Sequence, residues 1–293
     1  MTSDRYVAVI GGISVDLHAT PVADGFDSRT STPSRVELTA GGVGRNIAAN
    51  LAVLGVPVRL FGATGDDPFS DYALRQTTDA GVDVRGVRRL ESTQGGIYIA
   101  LLDRQGELQV AAADLSVIES LGVDFIEAHR ETIAGAALAV AETNLSRAAL
   151  QRIVTVTEAA GVPLIVDPVS NRKAERLQGL SGTLFAVTPN EEELPHCGIA
   201  APGETPSEGL RPRHTILTRG SRGLRWTDHE TGSTRELAAV EAEQIDATGA
   251  GDAFVAGFAG ALFRGEGVES ALEEGTKTAA RVVASRASTL EPK

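Results

Sequence analysis

Apolar runs closed by glycine alternate with helical periodicity along most of this chain. The run at 6–10 ends at Gly11-Gly12 and predicts a buried strand. Ile47, Ala48, Leu51 and Leu54 fall on one helical face, and Gly55 follows where a helix-terminating glycine belongs. Strand-like runs recur at 58–62, 136–141, 163–166, 184–188 and 215–218. Helical spacing recurs at 70–80, 150–160, 249–264 and 268–287. Such alternation predicts an α/β fold, a mostly parallel sheet flanked on both faces by helices.

Two stretches break the rhythm. Residues 13–39 and 86–113 carry short strands with no helix between them, and the strands at 97–102 and 108–112 flank Asp103-Arg104-Gln105-Gly106, a hairpin turn. They could form a small sheet over a site or extend the main one; the pattern favours neither. Residues 200–213 have loop composition.

Length and charge narrow the function. A chain of 293 residues, 42% hydrophobic, supports one large domain or a domain with a small appendage. A net charge of −12 argues against a nucleic-acid backbone or an anionic membrane as partner. ATP remains compatible, because helix termini and a metal ion can hold phosphate inside an acidic protein. The lone Cys197 excludes an internal disulfide and a cysteine metal cage. With no secretion-type start and no run of ~18 apolar residues, a cytoplasmic protein is expected.

The strongest chemical segment is Asp246-Ala247-Thr248-Gly249-Ala250-Gly251-Asp252, which leads into a helix. Free N–H groups at such a helix start suit a phosphoryl group, and Asp252 could accept a hydroxyl proton. The plain alternative is a glycine turn with Asp252 stabilising its own helix. Gly41-Gly42-Val43-Gly44-Arg45-Asn46 opens the helix ending near Gly55. It lacks the third small residue of a dinucleotide fingerprint, and no Walker A loop occurs anywhere. Asp16 follows the first strand, where a carboxylate could hold vicinal sugar hydroxyls or simply be solvated. Asn190-Glu191-Glu192-Glu193 and Thr218-Arg219-Gly220-Ser221-Arg222-Gly223 also follow strands. The former suits Mg²⁺ and its waters, or is a water-bathed helix start; the latter suits nucleotide approach.

In this order, GGISVD, GGVGRN, TPNEEE, TRGSRG and DATGAGD resemble the ribokinase-like (PfkB) carbohydrate and nucleoside kinase family over essentially the whole chain. The resemblance implies a single ribokinase-like domain over 1–293, an α/β body whose small β-sheet lid comes from segments about 13–39 and 86–113. It implies Asp252 as the base on the acceptor hydroxyl and Gly249, Ala250 and Gly251 as the anion hole. Asp16, Gly42 and Asn46 would hold the sugar. Asn190, Thr218, Gly220 and Gly223 would stand beside ATP, Glu193 would organise Mg²⁺ through water, and Asp246 and Thr248 would hold a monovalent cation, usually K⁺. Within the family, GGVGRNIAANLAVLG is most similar to the pseudouridine kinases, which adds Ser28, Asn144 and Lys173 on the substrate side. The expected partner is a small nucleoside or sugar, with neither nucleic acid nor membrane; lids in this family sometimes pair across a homodimer. The alternatives are ribokinase, adenosine kinase or another sugar kinase, and, from a different class, a non-catalytic binding relative.

The pattern departs from the family in three places. Residues 200–213 replace a usual helix, Gly65-Asp66-Asp67 runs into Pro68-Phe69-Ser70 instead of a glycine, and 284–288 lack the glycine usual near the cation site.

Overall fold

The structure, a computed structural model, describes residues 5–23, 25–199, 209–243, 245, 248–285 and 287–290. In chain order the elements are β1 (Val7–Ile10), β2 (Ser14–Pro21), β3 (Ser34–Gly41), α1 (Val43–Val53), β4 (Val58–Thr64), α2 (Pro68–Asp79) and β5 (Asp83–Arg89). Next come β6 (Gly96–Leu102), β7 (Leu108–Asp114), α3 (Val123–Ala128), α4 (Arg130–Ala134), β8 (Leu138–Glu142), α5 (Arg147–Ala160), β9 (Leu164–Asp167) and α6 (Asn171–Ala174). The chain closes with β10 (Gly182–Val187), β11 (Leu210–Thr218), β12 (Leu224–Asp228), β13 (Thr234–Leu237), α7 (Ala250–Phe263) and α8 (Val268–Val283).

Among the described residues the strands form two sheets. The larger has nine strands in the order β13-β12-β11-β10-β9-β8-β1-β4-β5, parallel from β11 to β5, with an antiparallel edge of β12 and β13. Its central strands β1, β8 and β9 are apolar up to their last residue because both faces are buried. Ala8 and Ile10 of β1 pack toward α3, α4 and α5, whereas Val7 and Val9 pack toward α1, α7 and α8. The smaller sheet runs β3-β2-β6-β7, with β2 and β6 parallel and its outer pairs antiparallel. Asp103 and Gly106 close the β6–β7 hairpin as the sequence indicates, Gly106 at φ 89°.

Some boundaries differ from the sequence reading. Residues 86–89 belong to β5 in the large sheet, not to the small one, and the last helix stops at Val283. Residues 210–213, expected as loop, begin β11 and alternate buried and exposed, with Leu210 and Pro212 inside and Arg211 and Arg213 outside. Pro212 is tolerated because β12 pairs only from His214 onward, so the proline lies where β11 has a neighbour on one side alone. Between β10 and β11 the helix expected of the family is replaced, among the described residues, by the short turn Leu194–His196; residues 200–208 lie outside them. The atypical Asp67-Pro68 step is a helix start. Asp67 caps α2 through the Phe69 and Ser70 N–H groups and also accepts from Gly95 N–H at 2.7 Å, tying α2 to the start of β6.

Candidate active site

Chain order reverses beside β1: β4 and β5 continue on one side, β8 to β11 on the other. Open α/β sheets bind ligands at the strand ends above such a reversal. Gly12 at the end of β1, Glu142 at the end of β8 and Asp167 at the end of β9 stand side by side there. Glu142 is 1% exposed, and its carboxylate accepts from Gly12 N–H at 2.7 Å and from the N–H and Nδ2 of Asn144, both at 2.6 Å. Asp167 accepts from Val169 N–H at 2.9 Å and Thr188 Oγ1 at 3.0 Å.

Glycines seat α1 on this edge. A Cβ on Gly42, at φ 97°, would fall 2.6 Å from Gly12 O, and one on Gly44 would fall 2.7 Å from Gly11 Cα. The start of α1 therefore lies directly on the β1–β2 link, and Arg45 N–H donates to Gly12 O at 3.0 Å. Gly41 serves a side chain instead: its bare Cα carries the Asp16 carboxylate, which a Cβ would meet at 2.2 Å. From α1, Asn46 Nδ2 donates to Asp252 Oδ2 at 2.9 Å.

Asp252 stands in the first turn of α7, behind Gly249 in the left-handed region at φ 78°. A Cβ on Gly249 would meet Ser288 O at 2.2 Å, so the C-terminal segment packs against this turn. Leu290 N–H donates to Asn50 Oδ1 of α1 at 2.7 Å and anchors that segment. The N-cap of α7 is Gly249, which has no side chain to offer, and the space above Gly251 is open, which leaves the N-terminal dipole of α7 facing a cavity. The Asp252 carboxylate bonds across to α1 rather than capping its own helix.

Negative charge is crowded here. Burial first, then the Asp167, Glu142 and Asp16 carboxylates, push Asp252 well above the ordinary aspartate range, against the opposing Asn46 bond. Burial and Glu193 push Asp167 up to about 7. Burial raises Glu142 despite its three donors and nearby Lys173, and raises Asp16 and Glu193 as well. Lys173 is itself pushed down by burial. A carboxyl whose proton affinity is raised by burial, at a helix start with a glycine N-cap, can take a hydroxyl proton while the helix faces a phosphoryl group.

Three cavities border the segment from Thr248 to Asp252, and of these Asp252 lines the smallest. One of about 200 Å³ is lined by Asp167, Asn190, Glu193, Thr218, Gly251 and Asp252. Thr218, Gly251 and Phe254 continue into a second of about 810 Å³, walled by Gly220, Gly223 and apolar Val240, Ala279 and Val283. The third, about 640 Å³, lies under the small sheet against Asp16, His18, Thr39, Thr248 and Ser288.

The family model for pfkB family carbohydrate kinases matches residues 4–293. The chain belongs to this family. It is an ATP-dependent phosphotransferase acting on a hydroxyl group. Pseudouridine kinase of Escherichia coli (strain K12) is 33% identical over 88% of this chain and 84% of its own length. Guanosine-inosine kinase of Exiguobacterium acetylicum is 27% identical over 98% of this chain and 97% of its own. Arabidopsis thaliana ribokinase, solved with ribose and ATP, superposes with a TM-score of 0.80 over 97% of this chain and 94% of its own at 21% identity, a likeness of fold. Among the described residues no helix is long and apolar enough to cross a membrane.

Most of the kinase residues named from sequence converge. Asp252 meets Asn46 and feels the charge of Asp16 on one side, and Ala250 and Gly251 share a cavity with Thr218, Gly220 and Gly223 on the other; Gly42 seats the start of α1 on Gly12, and Gly249 packs on Ser288. Asn144 donates to Glu142, and Lys173 is near enough for their charges to attract. Asn190 and Glu193 line the smallest cavity, yet they also cap each other. Asn190 Oδ1 accepts from the Glu192 and Glu193 N–H groups at 2.9 Å, and Asn190 N–H donates to Glu193 Oε2 at 3.0 Å. Ser28 is not brought to the site: it is exposed on the β2–β3 connection and lines none of the three cavities. Asp246 lies outside the described residues, whereas Thr248 lines the cavity under the small sheet. Among the described residues no group of three or more His, Cys, Asp or Glu is arranged to hold a metal by itself.

Glu142, Asp167 and Arg45 stand in segments that the sequence singles out by resemblance, yet it assigns none of them a role. The first two obey the rule that singled out Asp16, a carboxylate closing a strand of the parallel sheet. Arg45 carried no such signal.

Proposed function

We propose that this kinase transfers the γ-phosphoryl group of ATP to the 5′-hydroxyl of pseudouridine. One observation carries the chemistry: Asp252, its carboxyl raised by burial and neighbouring carboxylates, stands in the first turn of α7, held by Asn46 and lining a cavity with Gly251, Thr218, Asp167 and Glu193. In this reading the 5′-oxygen attacks the γ-phosphorus, its proton passes to an Asp252 carboxylate oxygen, and ADP leaves. The N–H groups from Ala250 to Asp252 face the charge that develops on the phosphoryl oxygens.

The polar cavity takes the nucleoside. Asp16 accepts from the ribose hydroxyls, and Asn46 directs the attacking hydroxyl toward Asp252. Glu142, with Asn144 and Lys173 about it, is the further acceptor-side group. The apolar cavity receives the adenine end of ATP, with the turn of Gly220 and Gly223 beside it.

Mg²⁺, implied by the family, fits the smallest cavity. Asp167 and Glu193 offer hard oxygens, and burial without enough balancing charge holds them raised. When bound, the ion neutralises phosphate charge. K⁺ would sit by Thr248 with Asp246. A homodimer would form through the outer face of the small sheet, where Val36, Ile99 and Val110 are exposed on one side, opposite Asp16. The expected compartment is the cytoplasm.

The resemblance to pseudouridine kinase at 33% identity favours this acceptor, and that to guanosine-inosine kinase supports a purine nucleoside as the second reading. The test is product identification. Purified protein with ATP, Mg²⁺ and pseudouridine should yield ADP and a monophosphate whose ³¹P signal couples to the 5′-protons; a monophosphate formed only from inosine or guanosine would favour the second reading.

A further inference from the structure

Arg45 is 6% exposed, and the acceptors it bonds are neutral. Its Nη1 donates to Ala40 O and to Asn46 Oδ1, each at 3.2 Å, and its Nε to Thr77 Oγ1 at 3.4 Å. Burying a guanidinium without a carboxylate in contact is unfavourable, and an apolar side chain of similar size would pack α1 against α2 without that burden. The cation therefore needs another reason to be there.

Its contacts supply one. An asparagine amide can present either its oxygen or its NH₂ to a neighbour. Toward the Asp252 carboxylate only the NH₂ is attractive, and Arg45 holds the opposite end of the amide by its oxygen. The same nitrogen grips Ala40 O, one residue before the Gly41 that carries the Asp16 carboxylate. One planar fork thus ties together α1, the end of β3 and α2, beside both acceptor-side carboxylates.

We propose that Arg45 is a positioning residue for phosphoryl transfer, orienting the Asn46 amide so that its NH₂ holds Asp252 in place to receive the hydroxyl proton. This rests on the reading of Asp252 as the base. Arg45 acts through Asn46 and does not touch the reacting atoms. Lysine cannot replace it, because a single ammonium cannot span the same acceptors in one plane.

A double-mutant cycle with Asn46 tests this. Arg45→Met should lower kcat about ten- to a hundred-fold while the ATP KM stays within about two-fold. In the Asn46→Ala background the same substitution should cost less than about three-fold more, because the group it orients is gone. Equal losses in both backgrounds would overturn the proposal. Should Arg45→Met fail to fold, Arg45→Lys keeps the buried charge and is read instead: a kcat lowered about ten-fold with the same non-additivity supports the proposal, and a wild-type kcat overturns it. Asp252→Asn separates the two layers. If it turns over normally, the base reading falls and this inference with it; if it is inactive while the cycle is additive, only the role of Arg45 falls.

Discussion

The two sides of the cleft are built differently. On the proposed acceptor side, buried polar groups are bonded to one another: Gly12 N–H to Glu142, Asn46 to Asp252, Arg45 to Asn46, and Asp16 on the bare Cα of Gly41. On the proposed nucleotide side the cavity is larger and walled by small apolar side chains such as Ala239, Ala279 and Ala280, with glycine turns at its rim. A polar network tolerates little change, because each removed partner leaves another buried group unpaired. A slot of small apolar groups tolerates much more. Chemistry and acceptor choice should therefore be sensitive to single substitutions, and ATP affinity should not.

The largest expected effect lies at the junction of the two sides. Asp252→Asn should lower kcat by about 10²–10⁴-fold or more while both substrates bind within a few-fold of wild type. Normal turnover in the folded variant would break the comparison at its centre. In the wild type, kcat/KM should fall as pH drops through the raised titration of the carboxylate cluster, above the ordinary aspartate range near 3.9. An acid limb at or below that value would contradict the electrostatics described.

Next in size, Asp16→Ala and Asn46→Ala should raise the acceptor KM by about ten- to a hundred-fold, the worth of a charge-assisted hydrogen bond of roughly 1.5–3 kcal/mol. Asn46→Ala should lower kcat as well, because Asn46 also holds Asp252. The ATP KM should move little. Were ATP binding hit instead, the two sides would be exchanged.

Asp167 gives a stability effect whose sign can be worked out. Its carboxyl is raised from 3.8 to about 7, so its contribution to folding is present below pH 4 and is lost as pH rises through 7. Asp167→Asn removes that loss, on the order of a few kcal/mol. At pH 8 the variant should melt above wild type, and near pH 4 the two should coincide. A variant that melts lower at pH 8 would show that the crowded carboxylates are not a burden on the fold.

The smallest effect belongs to the apolar slot. Ala280→Leu should raise the ATP KM by only about three- to ten-fold with the acceptor KM unchanged. A comparable loss on the acceptor side would mean that the two cavities are not separate in function.

The parallel body was legible because its strands are buried on both faces and so stand out as apolar runs between glycines. The first half of β11 was hidden by Pro212 and two arginines, although Leu210, Pro212 and His214 keep a period of two. In the site, glycine-rich segments were legible because close backbone approach demands that residue. Glu142 and Asp167 were not, because an acid at the end of a strand looks like any surface acid until β8 and β9 are known to lie beside β1. Arg45 was invisible for a related reason: only the packing of α1 against α2 and the end of β3 makes an arginine at a helix start a buried one. Ser28 shows the opposite failure, a polar residue named by resemblance that the chain leaves exposed and outside the cavities.

We propose that the polar side of the cleft selects a C-linked uracil nucleoside. The direct measurement is kcat/KM for pseudouridine, uridine, adenosine and ribose, side by side at matched ATP and Mg²⁺, with and without K⁺. Pseudouridine carries a ring N–H where uridine has C–H, and a buried acceptor left unpaired by uridine is worth about 1–3 kcal/mol, or roughly ten- to a hundred-fold. Pseudouridine should lead by that margin; equal efficiency with uridine, or activity confined to ribose, would contradict the claim.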